Sequence, residues 1–187
     1  MSPPIRLALL AAIPALMIVA CNRESAERPD ANQGMSSAVP AGPAATVALV
    51  KADGSPAGSV AVEDSPNGVS VAITATGLMP GTHGVHLHAV GTCEGPKFES
   101  AGSHWNPTQR KHGRDNPEGA HMGDLANLDV RADGSGAATA PIASTRNALT
   151  DGDGTSLVIH AKADDYKTDP SGNSGDRIAC AVISPAK

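Results

Sequence analysis

A chain of 187 residues with a formal net charge of −5 and only one Trp, one Tyr and one Phe excludes several classes at once. Lys and Arg form no block, which argues against a nucleic-acid partner. With so few aromatics, any core must be built from Val, Ile, Leu and Ala.

Leu7 to Ala20 is an apolar run of 14 residues, short of the about 20 that a membrane-spanning helix needs. It ends in Ile18-Val19-Ala20-Cys21, a small residue before a cysteine. This pattern predicts a lipoprotein-type signal peptide over 1–20, cut before Cys21, with the Cys21 thiol lipidated. Arg6 is the only basic side chain ahead of the run, so an ordinary cleaved signal with an incidental cysteine is the alternative. Lipidation also settles a parity problem, since three cysteines in an exported protein leave one unpaired. Cys93 and Cys180 then remain as a pair in an oxidising compartment. Asn22 follows Cys21 where an aspartate would favour the inner membrane, so the expected location is a periplasmic domain anchored at the outer membrane. Residues 21–44, rich in Ala, Ser, Gly and Pro, read as the lipidated cysteine and a flexible tether. Residues 45–187 are the length of one domain with a proper core.

Within that domain the apolar period is two. Thr46–Val50 runs to Asp53-Gly54, and Ser59–Glu63 runs to the hairpin signal Asn67-Gly68. Val69–Thr76, Val85–Val90, Leu125–Val130, Ala137–Ala143, Ser156–Ala161 and Ile178–Ile183 complete eight short strands, with no convincing helix. The expected class is all-β, an antiparallel sandwich or barrel. Gly91–Gly123 and Lys162–Arg177 break the pattern. Long irregular loops in a compact domain are usually functional, and these need tying down.

All seven histidines lie between 83 and 160, three of them in His83-Gly84-Val85-His86-Leu87-His88. Imidazole is the commonest metal ligand and exchanges protons near neutral pH. On a strand, His86 and His88 project from one face and Val85 and Leu87 from the other. His83 alone fits a hydrogen-bonded core or surface histidine. The loop adds His104, His112, His121 and Asp124, and nitrogens with a carboxylate oxygen suit tetrahedral zinc. His160 sits near the end of an apolar strand, where a polar ring needs a partner.

Six motifs now agree in identity and order: Gly81-Thr82-His83-Gly84-Val85-His86-Leu87-His88, Gly102-Ser103-His104-Trp105-Asn106-Pro107, Arg110-Lys111-His112-Gly113, His121-Met122-Gly123-Asp124-Leu125, Val158–Asp165, and Gly175-Asp176-Arg177-Ile178-Ala179-Cys180. The chain resembles the copper–zinc superoxide dismutases across this whole domain. The resemblance implies an eight-stranded Greek-key β-barrel with two long functional loops, and one copper and one zinc per chain. It implies copper on His86, His88, His104 and His160, and zinc on His104, His112, His121 and Asp124, with His104 bridging. His104 would also carry a proton to the forming peroxide. Asp164 corresponds to the carboxylate that links His86 and His112. Arg177 corresponds to the residue that docks the superoxide anion. Cys93 and Cys180 correspond to the family's disulfide. Two departures stand out: the stretch between Asp165 and Arg177 is short, and Pro170-Ser171 stands where many relatives carry a lysine. Lys162 and Lys167 are the candidates for the positive field that this lysine would supply.

Three readings compete. A superoxide dismutase needs every one of these ligands and the arginine. A non-catalytic copper carrier on the same scaffold commonly loses some of them. An adhesive sandwich has no use for two ligand sets sharing a residue. The enzyme is the expected function, with superoxide as substrate, the membrane as an anchor partner, and a homodimer left open by the sequence.

Overall fold

The computed structural model describes residues 45–187; the signal peptide, Cys21 and the tether lie outside the described residues. Nine strands run in chain order: β1 (Ala45–Lys51), β2 (Pro56–Ser65), β3 (Gly68–Ala75), β4 (Gly81–His83), β5 (Val85–His88), β6 (Leu128–Val130), β7 (Gly136–Ile142), β8 (Thr155–His160) and β9 (Arg177–Ser184). Alternation becomes burial as a period of two requires. Along β3, Val69, Val71, Ile73 and Ala75 are buried while the residues between them are not.

All pairings are antiparallel, in the order β4-β6-β7-β3-β2-β1-β9-β8-β5. The non-consecutive neighbours β4–β6, β3–β7, β1–β9 and β5–β8 supply the crossovers of a Greek key. The two ends of the order, β4 and β5, are separated in the chain only by Gly84. One bent segment therefore closes the barrel. Gly84 donates to the Lys162 carbonyl and accepts from the His160 amide, both at 2.8 Å.

Nine strands replace the eight expected because Gly81–His83, ahead of the expected fourth strand, forms a short strand of its own on β6, while Val85–His88 pairs with β8. A single helical turn, α1 (Arg146–Leu149), was not anticipated. The Thr145 side chain accepts from the Ala148 amide and Leu149 is buried, but one turn is too short to show a helical period. The turns after β1 and after β6 are the same device. Asp53 and Asp133 each accept from the amide and hydroxyl of the serine two residues on, Ser55 and Ser135. Between them Gly54 and Gly134 take φ of 81° and 79°.

The core is aliphatic apart from Trp105, as the composition demands. A small second cluster of Phe98, Ala101, Val158 and Cys180 packs beneath the Cys93–Cys180 disulfide. That bond spans 87 residues of sequence and pins the loop after β5 to β9, with Cα atoms 5.8 Å apart. Closing so long a loop restricts the unfolded chain. Cys93→Ala combined with Cys180→Ala should therefore cost about 4 kcal/mol of stability in the chain-entropy picture. Chemical unfolding of the metal-free protein measures it. A loss below about 1 kcal/mol would mean that the loop is held mainly by other contacts.

Candidate metal centre

β5 delivers the first two histidines. Val85 and Leu87 enter the barrel core, while His86 and His88 point the other way and are still fully buried. The reason is that both edges of β5 are covered. β8 pairs along one edge, setting His86 opposite Val158 and bringing the end of β8, with His160, alongside. The returning loop covers the other, through Leu87 to Gly123, Trp105 to Leu87 and Leu125 to Val85 backbone bonds of 2.7–3.1 Å. This return places Asp124 opposite His86 and His104 opposite His88.

Two donor sets result. His86, His88, His104 and His160 each offer an atom, all within 4.8 Å of one another, and so do His86, His104, His112 and Asp124. His121 reaches the second group through Asp124: the Nδ1 atoms of His104, His112 and His121 lie 3.0, 3.0 and 3.1 Å from Asp124 Oδ1. A tetrahedral zinc with bonds near 2.0 Å has donors about 3.3 Å apart, so this spacing fits one small cation. Every ligand residue expected from the sequence is present at the centre. His86 faces both sets, an adjacency that sequence spacing does not reveal.

Ring partners fix the tautomers. His88 Nδ1 donates to the Gly102 carbonyl at 2.9 Å and His160 Nδ1 to the Gly175 carbonyl at 3.1 Å. His86 Nε2 donates to Asp164 Oδ2 at 2.8 Å, and His112 Nε2 to Asp164 Oδ1 at 3.0 Å. The opposite nitrogens are left as lone pairs: His86 Nδ1, His88 Nε2 and His160 Nε2 are buried with no hydrogen-bond partner. His112 Nδ1 is likewise buried without an aligned hydrogen-bond partner, 3.0 Å from Asp124 Oδ1. Buried polar atoms without partners cost about 1–3 kcal/mol each. Several lone pairs aimed into one place suit metal ions that accept all of them.

Electrostatics separate the two halves. Burial pushes His88 down to about 2 and His160 to about 3, helped by neighbouring rings and by Arg177. Burial also lowers His86, and takes His104 down to about 4. For His112, burial works the same way but is outweighed by Asp124 and Asp164, which raise it to about 9. Burial would raise both carboxyls. Their histidine partners instead hold Asp124 and Asp164 far below the usual carboxylate range. The first half is thus a neutral imidazole cluster and the second an anionic one. Gly172, at φ 63°, lets the backbone lie against Asp164, since a Cβ there would overlap Asp164 Oδ1 and His112 Nε2.

Arg177 stands at the start of β9. Its Nη1 donates to the Phe98 carbonyl at 2.5 Å and its Nη2 to the Gly102 carbonyl at 2.7 Å. Gly102 also receives His88, so one backbone oxygen orients the arginine and a ring of the first set. His83 behaves as a core histidine, its ring nitrogens 2.7 Å from the His160 carbonyl and 2.9 Å from that of Met79. Sequence reasoning missed Phe98 and Gly102, which act through carbonyls that leave no side-chain signature. It also missed Asn127, which bonds Asp164 twice, and Tyr166.

Residues 56–183 match the family model described as copper/zinc superoxide dismutase (SODC). The chain belongs to this family. It is 46% identical over 147 residues to a superoxide dismutase [Cu-Zn] of Caulobacter vibrioides, covering 73% of this chain and 83% of that one. The crystal structure of a SOD-like protein from Bacillus subtilis matches at 39% identity with a TM-score of 0.70, covering 74% of this chain and 97% of that one. The Cu/Zn superoxide dismutase from Brucella abortus matches at 33% identity and a TM-score of 0.63, covering 75% and 99%. These relatives include a protein called only SOD-like, so family membership alone does not decide activity. The ligand set and Arg177 bear on that.

The pKa directions predict how the metal-free dismutase domain responds to acid. His86, His88, His104 and His160 are lowered in the folded state, so they stay neutral where the unfolded chain takes up protons. Stability from these rings is present above about pH 6.5 and falls progressively towards pH 4. His112 acts in the opposite sense, its contribution being full below about 6.5 and lost as pH rises through 9. Thermal unfolding between pH 4 and 7 should show a midpoint that drops with acid and net proton uptake on unfolding. A flat profile would mean that these rings already titrate normally in the fold.

Proposed function

We propose that this chain is an exported superoxide dismutase, converting two superoxide anions and two protons to O₂ and H₂O₂. His86, His88, His104 and His160 would hold copper; His104, His112, His121 and Asp124 would hold zinc. The observation that carries this reading is the set of buried, unpartnered nitrogens, His86 Nδ1, His88 Nε2 and His160 Nε2, beside a pinned arginine. Copper supplies a one-electron couple in an imidazole set that suits it, and zinc supplies a fixed positive charge that organises the loop.

The protein groups divide the remaining work. Arg177, held by two carbonyls, presents a planar cation for a small anion beside His88. His104 directs Nδ1 to Asp124, which leaves Nε2 for the copper set and for moving a proton to the developing peroxide. Asp164 orients His86 and His112 together. The copper-carrier alternative explains the imidazoles but gives no task to Arg177 or to a shared His104.

Protein loaded with both metals should hold one copper and one zinc per chain by elemental analysis, and should consume superoxide. Arg177→Glu should keep both metals, since the residue donates only to carbonyls, yet lose on the order of tenfold in bimolecular rate. Salt should slow the parent by screening its field and affect the variant less. Zinc alone at full loading would sink the two-metal reading. An Arg177→Glu protein with parental rate and salt response would transfer docking to another cation, Lys162 or Lys167 being the candidates.

The lipidated Cys21 would place this domain on a tether in the periplasm, at the outer membrane. Cys21→Ser should abolish lipid labelling and move the protein from the membrane to the soluble periplasmic fraction. Unchanged fractionation and processing would leave an ordinary cleaved signal as the explanation.

A further inference from the structure

Tyr166 is the only tyrosine of the chain and takes a left-handed backbone, φ 59°. A bulky residue rarely adopts this region, because it costs about 1–2 kcal/mol. Four contacts meet on it. Its amide donates to Asp164 Oδ1 at 2.7 Å, beside the His112 bond on the same oxygen. Its carbonyl accepts from the Asp115 amide at 2.9 Å, three residues after His112. Its hydroxyl accepts from the Asn127 amide at 2.8 Å, and the Asn127 side chain grips the Asp164 backbone with bonds of 3.0 and 2.9 Å. Above its ring lies Arg114, with Cζ 3.8 Å from the centroid. Gly113 admits this approach, since a Cβ there would collide with the Tyr166 carbonyl.

We infer that Tyr166, with Arg114 stacked on it, is a positioning residue for the zinc half of the centre. It fastens Asp164 to the loop that carries His112, so that the carboxylate and the ligand ring move as one body. The ring and hydroxyl make contacts that neither strand pairing nor the aliphatic core requires. Arg114 comes from the zinc-side loop and Tyr166 from the loop after β8, so the stack joins the two irregular segments directly. This inference rests on the proposed zinc site.

The test uses the full mature protein loaded with one equivalent of zinc, as parent, Tyr166→Phe and Arg114→Ala. Zinc release to a colorimetric chelator and the thermal midpoints of metal-free and zinc-loaded forms are recorded. Tyr166→Phe keeps the stack and removes the Asn127 bond, and should speed zinc release about tenfold, as loss of an outer partner of a metal ligand does. Arg114→Ala should speed it about threefold, in line with a partly exposed cation–π contact. In both variants the metal-free midpoint should change less than the zinc-loaded one. Parental release rates in both variants, or equal falls in both midpoints, would overturn the positioning role. A parent that fails to retain zinc would instead overturn the zinc site itself.

Discussion

Asp164 is the point on which the centre depends. It is buried, and its two oxygens hold His86 from the barrel wall and His112 from the loop, at 2.8 and 3.0 Å. A carboxylate in such a place is stable only because donors surround it: two imidazole N–H groups and the Tyr166 amide. In return it makes donors of His86 Nε2 and His112 Nε2. Both rings must then present Nδ1 to the interior. One anion thereby sets the tautomer of a ligand in each half, and couples a rigid strand to an irregular loop.

The same logic recurs with carbonyls. His88 is set by Gly102 and His160 by Gly175, each on a loop rather than in the barrel. A carbonyl only accepts, so it dictates the tautomer as firmly as a carboxylate while adding no charge. The copper-side rings therefore stay neutral, and the zinc-side rings sit beside two anions. This division matches the chemistry proposed for each side: a site whose charge must alternate is surrounded by neutral donors, and a fixed dication is met by carboxylates.

Much of this was legible in the chain. Period-two alternation identified strands such as β3, where one face is buried, and the same geometry put the two rings of His-x-His on one face of β5. What the sequence concealed was of two kinds. The short strand Gly81–His83 before Gly84 was hidden because three residues show no local period and its pairing with β6 is a tertiary fact. Phe98, Gly102 and Gly175 were hidden because their backbone oxygens act, and any residue has one. Asn127 and Tyr166 could have been suspected, as a lone tyrosine in a charged loop and a polar residue leading into an apolar strand. Neither type alone signals metal chemistry.

The barrel carries a standing cost for this arrangement. Buried imidazoles with unmatched lone pairs are unfavourable in the metal-free fold. Two devices offset that cost without metal. The disulfide restricts the loop through the unfolded state, and β5, paired along both edges, cannot swing its histidines outward. Binding therefore does not have to assemble the site from open loops. It has to satisfy lone pairs already converging, and the free energy that the folded chain forgoes in burying them is recovered when a cation arrives. A surface cluster of the same histidines would bind more weakly, because water would already occupy every nitrogen and the rings would have to be ordered on binding.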